Sequence, residues 1–322
     1  MLMDHFGRRF YYLRLSVTEV CNFRCTYCLP NGYQGADRPT FLTTAEIRRL
    51  LSTFTALGTR KVRLTGGEPS IRKDLPEIIE IAHHTLGIER VALTTNGYRL
   101  PRQVKQWRDA GLDQINVSMD SLDAQQFKAI TGHDRLREVL QGVEKAIALG
   151  LDVKINVVYM KGVNDQLSRY LDWLRTMPVT LRFIEVMEIG DQPDFHAHHH
   201  ISLQATKQQL LLEGWQSIVR RRDAGPAEEF WHPDYAGRIG LIMPYGAGFC
   251  ASCNRLRVSA QGKLHLCLFG EQGYELRPWL QSDTDADELA AVIQRALGNK
   301  TATHGLHEHN VGATRDLSML GG

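Results

Sequence analysis

The stretch Leu13-Arg14-Leu15-Ser16-Val17-Thr18-Glu19-Val20-Cys21-Asn22-Phe23-Arg24-Cys25-Thr26-Tyr27-Cys28 decides the fold. Residues 13–17 alternate apolar and polar, the period of a strand. Three cysteines follow at C-x3-C-x2-C spacing, and a helical pattern covers residues 43–57. Within it Ile47, Leu50, Leu51 and Phe54 share one face, and Thr43 with Glu46 has capping-box spacing. A chemically reactive loop set between a strand and a helix is the repeating unit of a parallel sheet, because parallel strands need crossovers.

The unit recurs along the chain. Strands are expected at 61–65, 90–95, 114–118, 153–159 and 180–186. Helices are expected near 75–82, 103–110 and 166–176, and along a stripe of Leu136, Val139, Leu140, Val143 and Ile147. The fold class is therefore α/β with six strand–helix units. An open doubly wound sheet and an incomplete barrel both satisfy that periodicity. Unusual residues follow the strands: Gly66-Gly67-Glu68-Pro69, Thr94-Thr95-Asn96-Gly97, Ser118-Met119-Asp120-Ser121 and Glu185-Val186-Met187-Glu188. Functional groups at strand C-termini suit either architecture. After residue 190 the alternation stops. The histidine run His196–His200 reads as an exposed irregular loop, followed by a helix near 203–213. Strand-like pieces at 238–243, 255–259 and 263–268 and a helix at 285–297 precede a polar tail ending in Gly321-Gly322. The expected division is 1–190 and 191–322.

Composition narrows the class. A chain of 322 residues is too long for one small module, and 43% hydrophobic with 23% charged residues excludes disordered and collagen-like chains. No run of about 18 apolar residues is present to span a membrane, and Met1–Arg14 holds no apolar signal core. Thirty-eight basic against 36 acidic residues leave a net charge of +2, which gives no pull toward nucleic acid. A cytoplasmic enzyme is the expectation. The six cysteines fall into two triples, Cys21, Cys25, Cys28 and Cys250, Cys253, Cys267. Neither odd set closes into disulfides by itself, and clustered cysteines in such a chain point to metal.

Three thiolates can hold three irons of a 4Fe-4S cluster and leave the fourth iron open. A structural zinc loop that borrows a distant ligand is the alternative for the first triple. For the second triple, C-x2-C-x13-C with His265 nearby, zinc and a second cluster weigh about evenly on spacing alone. Arg255 and Arg257 alternate on a strand-like run and so point the same way, as do Lys61 and Arg63. Guanidinium pairs grip a triphosphate through paired hydrogen bonds, and inward charges on a barrel strand need such a partner. No Walker-type loop is present.

The first triple and Gly66-Gly67-Glu68-Pro69 together resemble the radical S-adenosylmethionine (SAM) enzymes. With 13–18, 63–69 and the C-terminal segment added, the chain from Phe10 to Gly322 is similar to the GTP 3′,8-cyclase family of molybdenum cofactor biosynthesis. That resemblance implies an incomplete six-unit barrel whose open side is closed by the C-terminal region. It implies two 4Fe-4S clusters, one on each triple, with SAM on the first and guanine on the second. An adenosyl radical would remove the ribose 3′ hydrogen of GTP. Tyr27, Gly67, Ser118 and Met187 would contact SAM. Arg14, Arg63, Thr94, Lys154, Arg255, Leu256 and Arg257 would contact GTP, with Lys61 and Arg182 as weaker candidates. Arg14, Gly321 and Gly322 would serve catalysis. The implied partners are a downstream cyclic pyranopterin monophosphate synthase and a flavodoxin-type reductant, with the enzyme a monomer or homodimer that binds neither nucleic acid nor membrane. Two rivals remain: a radical SAM enzyme that modifies peptides, and a two-zinc interaction protein.

Overall fold

The computed structural model describes residues 1–35, 40–190, 192–221, 224–271, 273–314 and 316–321. The alternating pattern of the first stretch becomes β1 (Tyr12–Thr18). A capping box then starts α1 (Thr44–Ala56): the Thr43 hydroxyl accepts from the Glu46 amide, and Glu46 accepts from the Thr43 amide. Then follow β2 (Lys61–Gly66), α2 (Leu75–His84), β3 (Arg90–Thr95), α3 (Leu100–Asp109) and β4 (Gln114–Ser118). Next come α4 (Ala124–Thr131), α5 (Leu136–Ala148), β5 (Asp152–Tyr159), α6 (Leu167–Leu174) and β6 (Thr180–Glu185). The C-terminal half supplies α7 (Pro193–His199), α8 (Gln204–Leu212), β7 (Gln216–Ser217), β8 (Glu228–Trp231), β9 (Arg238–Ile242), β10 (Arg255–Val258), β11 (Lys263–His265) and β12 (Tyr274–Glu275). Helices α9 (Ala286–Leu297) and α10 (Leu317–Leu320) end the chain.

All twelve strands form one sheet in the order β12-β11-β10-β1-β2-β3-β4-β5-β6-β9-β8-β7. The middle eight, β10 to β9, run parallel, and each edge finishes in antiparallel strands. The six expected units are all present. The C-terminal region adds a seventh and eighth parallel strand, one at each edge, instead of folding as a sheet of its own. The sheet curls, because one cavity is lined both by Arg14 and Arg257 from one edge and by Arg182 and Ile242 from the other. An incomplete barrel is the result.

Strand residues divide cleanly. Leu13, Leu15, Val17, Leu64, Val117 and Phe183 point outward and pack with Ile47, Phe54, Ile78, Trp107 and Val143 of the surrounding helices. This apolar layer supplies the hydrophobic stabilisation. The opposite face is polar. Arg14 lies in register with Arg63 on one side and Arg257 on the other, Thr94 with Asn116, Asn116 with Lys154, and Asn156 with Arg182.

Two expectations need correction. The histidine run does not form an irregular loop: Pro193–His199 is a helix, begun by a proline whose missing N–H costs nothing at a first turn. The His196 and His200 rings lie 5.4 and 5.0 Å from that of Tyr245. The segment between β4 and α5 also holds a helix that the sequence pattern did not reveal, α4, capped by the Asp123 carboxylate and closed by Gly132 in the left-handed conformation.

Glu46 also fastens α1 to the C-terminal region, accepting from Arg277 at 2.9 Å and from Gln281 at 3.0 Å. Burial opposes its ionisation, but Arg277 and the Thr43 amide outweigh it and hold the carboxyl down to about 2. A carboxylate with a depressed pKa stabilises the fold fully above its ordinary value of 4.5, and that contribution is lost as pH falls toward about 2. Denaturant midpoints measured between those limits should fall in the wild type and stay flatter in Glu46→Gln, which starts from a lower midpoint at neutral pH.

Candidate active site

The loop after β2 and the first cysteine loop are built together. The Gly67 and Glu68 amides donate to the carbonyls of Thr18 and Val20, each at 2.9 Å. That approach leaves no room for side chains. A Cβ on Gly66 would lie 2.0 Å from the Thr18 carbonyl oxygen, and one on Gly67 2.4 Å from that of Val20. Gly66 also sits at φ +140°, which other residues rarely adopt. Glu68 is fully buried and accepts from the Thr95 hydroxyl at 2.7 Å, the Asn96 amide at 2.6 Å and the Ser70 amide at 2.9 Å. It thereby ties the end of β2 to the end of β3, and Asn96 reaches on to Asn22 at 2.9 Å.

Tyr27 donates its hydroxyl to Asp120 at 2.8 Å, and the other carboxylate oxygen of Asp120 accepts from the Val158 amide at 2.8 Å. Burial pushes Asp120 up to about 6 despite those bonds. The first triple is an anionic, dry environment. Burial pushes the Cys21 thiol up to about 11 and the Cys28 thiol up to about 12. Burial, then Asp120, pushes Cys25 well above its usual range. Thiols so reluctant to ionise become good ligands when a cation arrives to pair with them. Among the described residues no three His, Cys, Asp or Glu side chains are placed to hold a single metal ion. Three thiols on one short loop match the thiolate set that holds three irons of a cluster. The donor set fits a cluster.

The second triple has the opposite surroundings. Cys250, Cys253 and Cys267 line a cavity of 120 Å³ together with Tyr12, Arg14, Arg255, Arg257 and Lys300. Burial works against the Cys253 thiolate, but Arg255 and then Lys300 outweigh it and hold the thiol below its ordinary value. This donor set also fits an anionic cluster. His265, expected to stand aside, does not line this cavity.

An adjoining cavity of 440 Å³ shares Arg63 and Arg182 with the first and adds Lys61, Arg90, Lys154, Arg220 and Arg238. Its polar contacts include Arg63 donating to Thr94 at 3.3 Å, Arg182 to Asn156 at 2.6 Å, Arg220 to the Ser252 carbonyl at 3.2 Å, and Lys154 paired with Glu229 at 2.7 Å. Buried guanidinium nitrogens remain without a hydrogen-bond partner among the described residues: Arg63 Nε, Arg182 Nε, Arg255 Nη1 and Arg257 Nη1. Burial and neighbouring cations bring Arg182 and Arg257 down to about 10. Such a lining suits a polyanion.

The tail joins the two halves of the site. Helix α10 packs on β1 and β2. The backbone amides of Ser318 and Leu317 face the Cys28 sulfur, and Arg14 donates to the Gly321 carbonyl. Gly321 is buried at φ +62°, where a Cβ would lie 2.2 Å from the Thr65 side chain. Gly322 lies outside the described residues.

The structure thus brings Arg14, Arg63, Arg255, Arg257 and Met187 to one cavity, Lys61 and Lys154 to its neighbour, and Thr94 against Arg63. Tyr27 and Gly67 sit at the first cysteine loop. Ser118, the last residue of β4, pairs in register with Asn156. Leu256 buries its side chain in the outer core, leaving only its main chain toward the site. Tyr12, Asn116, Asn156 and Lys300 also line the cavity, though the sequence pattern did not single them out. The strand alternation that selected Arg14 also selects Tyr12, and it would have found Asn116 and Asn156. Lys300 follows α9 with no pattern to mark it.

Comparison with known proteins agrees with this geometry. The Radical SAM superfamily matches residues 15–174, and Molybdenum Cofactor Synthesis C matches residues 179–306. A GTP 3′,8-cyclase of Yersinia pestis is 57% identical over 323 residues, covering 100% of this chain and 99% of that protein. The structure of SuiB from Streptococcus suis bound to S-adenosylmethionine has a TM-score of 0.63 at 13% identity, over 89% of this chain and 68% of that one. Native anSMEcpe with bound AdoMet and Cp18Cys peptide gives 0.53 at 14% identity, over 80% and 73%. Those two structures are alike in fold.

The Gly66 contact is testable. Gly66→Ala should lose about 2–4 kcal/mol of stability, from overpacking plus backbone strain. Denaturant unfolding of Gly66→Ala beside a control Gly150→Ala, where a Cβ would meet nothing within 4 Å, measures the difference between steric contact and left-handed strain alone.

Proposed function

Because this chain belongs to the radical SAM superfamily and, within it, to the GTP 3′,8-cyclase family, we propose that it converts GTP to (8S)-3′,8-cyclo-7,8-dihydroguanosine 5′-triphosphate, the first step of molybdenum cofactor biosynthesis. One observation carries this reading. The second cysteine triple lines a cation-rich cavity, and α10 runs between Arg14 of that cavity and Cys28 of the first triple. Leu317 lies at Cys28 and Gly321 at Arg14, a span of roughly 6 Å at helical rise. A triphosphate concentrates several negative charges on one short chain and so matches this set of buried cations better than the dispersed carboxylates of a peptide.

Cys21, Cys25 and Cys28 would hold the SAM-binding cluster, and Cys250, Cys253 and Cys267 the cluster that receives guanine. When bound, the first cluster and SAM supply one-electron chemistry that removes a hydrogen no side-chain base can take. The chain's own residues position and shield the reactants. Gly67 brings its backbone to SAM, Tyr27 and Ser118 offer hydroxyls, and Met187 packs against it. Arg63 and Lys154 take phosphates, with Lys154 exchanging its Glu229 partner for the substrate. Lys61 and Arg182 add to the same field, and Thr94 fixes Arg63. Arg255 and Arg257, with the main chain of Leu256, hold GTP beside Cys253. Arg14 and Gly321 would close the gap between ribose and SAM and exclude water, and Gly322 is proposed to serve catalysis with them. Residues 1–190 would form the SAM-handling part and 191–322 the guanine-handling part. A flavodoxin-type protein supplies electrons in the cytoplasm, and a cyclic pyranopterin monophosphate synthase takes the product.

Anaerobic assay with GTP, SAM and dithionite tests the reading directly. Cys25→Ala should lose 5′-deoxyadenosine formation, and Cys250→Ala should lose about half the iron while keeping the first cluster and forming no cyclised product. Wild-type SAM cleavage in Cys25→Ala, or zinc in place of iron at the second triple, would sink the assignment.

The tail gives a separate expectation. Gly321→Ala places a methyl group against Thr65, so the end of the chain should not seat. Cyclised product per cluster should drop at least about tenfold, the cost of losing one hydrogen bond to a charged group. Cluster content and GTP affinity should stay at wild-type levels, and an unchanged product yield would show the tail to be a loose end.

A further inference from the structure

Tyr12 stands in the wall that holds Arg14, Arg63, Arg182, Arg255 and Arg257, beside the thiols of Cys250, Cys253 and Cys267. It stands on the inward face of β1, in register with Lys61 on one side and Arg255 on the other. Its ring lies 5.2 Å from the Lys61 ammonium and 5.6 Å from the Arg63 guanidinium. The residue is 2% exposed. The cations facing it are Arg14 on β1, Lys61 and Arg63 on β2, Arg182 on β6, and Arg255 and Arg257 on β10; the same cavity is also lined by Lys300, His304 and the thiols of Cys250, Cys253 and Cys267. Among the described residues no carboxylate lines this cavity, and Glu229 of the adjoining one is paired with Lys154. Burial alone would push the phenol up, but Arg63, Arg14, Lys61 and Arg182 outweigh it and bring it down to about 7.

We propose that Tyr12 is a proton-coupled substrate contact: as phenolate it balances the cations of the free cavity, and as phenol it donates a hydrogen bond to an anionic oxygen of bound GTP. The proposal rests on the GTP reading above. The physical logic is charge balance. A bound polyanion repels a phenolate and takes over its work among the guanidinium groups, so the hydroxyl must regain a proton from solvent. Once protonated, it becomes a donor aimed into the cavity. Binding then takes up a proton, and by linkage the affinity is highest below the free group's pKa and falls as pH rises through it.

The test uses the cluster-loaded enzyme under anaerobic conditions. GTP dissociation constants are measured by calorimetry from pH 6 to pH 9 for the wild type and Tyr12→Phe, in buffers of different ionisation enthalpy. Ionisation of GTP itself and of other side chains is common to both proteins and cancels in the comparison. Relative to Tyr12→Phe, wild-type affinity should fall about fivefold between pH 7 and 8 and about fiftyfold between pH 7 and 9. The wild type should bind more tightly at pH 6, and that advantage should shrink steadily as pH rises and be lost by pH 9. Proton uptake on binding near neutral pH should be larger in the wild type. Replacing Tyr12 by 3-fluorotyrosine, whose phenol is more acidic, should move the break to lower pH without losing the donor. SAM affinity should be unchanged in both variants. Parallel pH profiles and equal proton uptake would overturn the role given to Tyr12. Failure of the wild type to bind GTP at any pH would overturn the functional reading instead.

Discussion

The structure is organised around an electrostatic liability. Arg14, Arg63, Arg182, Arg255 and Arg257 are held within one dry cavity, with Lys61 and Lys154 just beyond it. Burial and mutual repulsion act on several of them at once: Arg14 is pushed well down by burial and then by Arg257, and Lys154 by burial and then by Arg182. Like charges collected away from water destabilise a fold unless another layer compensates. Here the compensation lies on the other face of every strand, where Leu13, Leu15, Leu64, Val117 and Phe183 join the helices in one apolar layer. Stability and function are therefore separated by the two-residue period of the strands. The outer face holds the protein together, and the inner face is kept poor in carboxylates so that it can receive an anion.

The same constraint explains why the two cysteine triples are not equivalent. The first lies among acids: Asp120 works against Cys25, and Asp316 against Cys28. The second lies among bases, with Arg255, Lys300 and Arg257 favouring the Cys253 thiolate. Anionic surroundings disfavour adding an electron to a bound cluster and cationic surroundings favour it, since hydrogen bonding and nearby charge set cluster potentials. One chain thus offers two donor sets of the same chemistry in opposite fields. The difference arises from which end of the strands each triple occupies, the first following β1 and the second preceding β10, its parallel neighbour, and not from its cysteine spacing.

Close backbone approach is the second organising device. Gly66 and Gly67 lie against Thr18 and Val20, and Gly321 against Thr65. These contacts join the loop after β2 to the loop after β1, and the end of the chain to both. Glu68 completes the joint with three accepted hydrogen bonds while remaining fully buried. The site is thereby set on rigid strand ends, where small positional errors cost most.

The sequence by itself determined the α/β class, the strands from residue 12 to 185 to within a residue or two, both cysteine triples and the inward arginines. Local physics was enough for these. A strand's alternation appears in consecutive residues, a helix's apolar stripe appears within a few turns, and thiol ligands of one triple lie close in the chain. The sequence did not show that residues 238–242 and 255–258 would extend the sheet at opposite edges. It did not show that the histidine run would be helical, or that Lys300 would reach the second triple. Those outcomes depend on which distant strand edges are left unpaired and which cavity walls meet when the sheet curls. Only the tertiary structure decided them, because hydrogen-bond pairing and charge proximity between residues dozens to hundreds of positions apart leave no periodic trace in the chain.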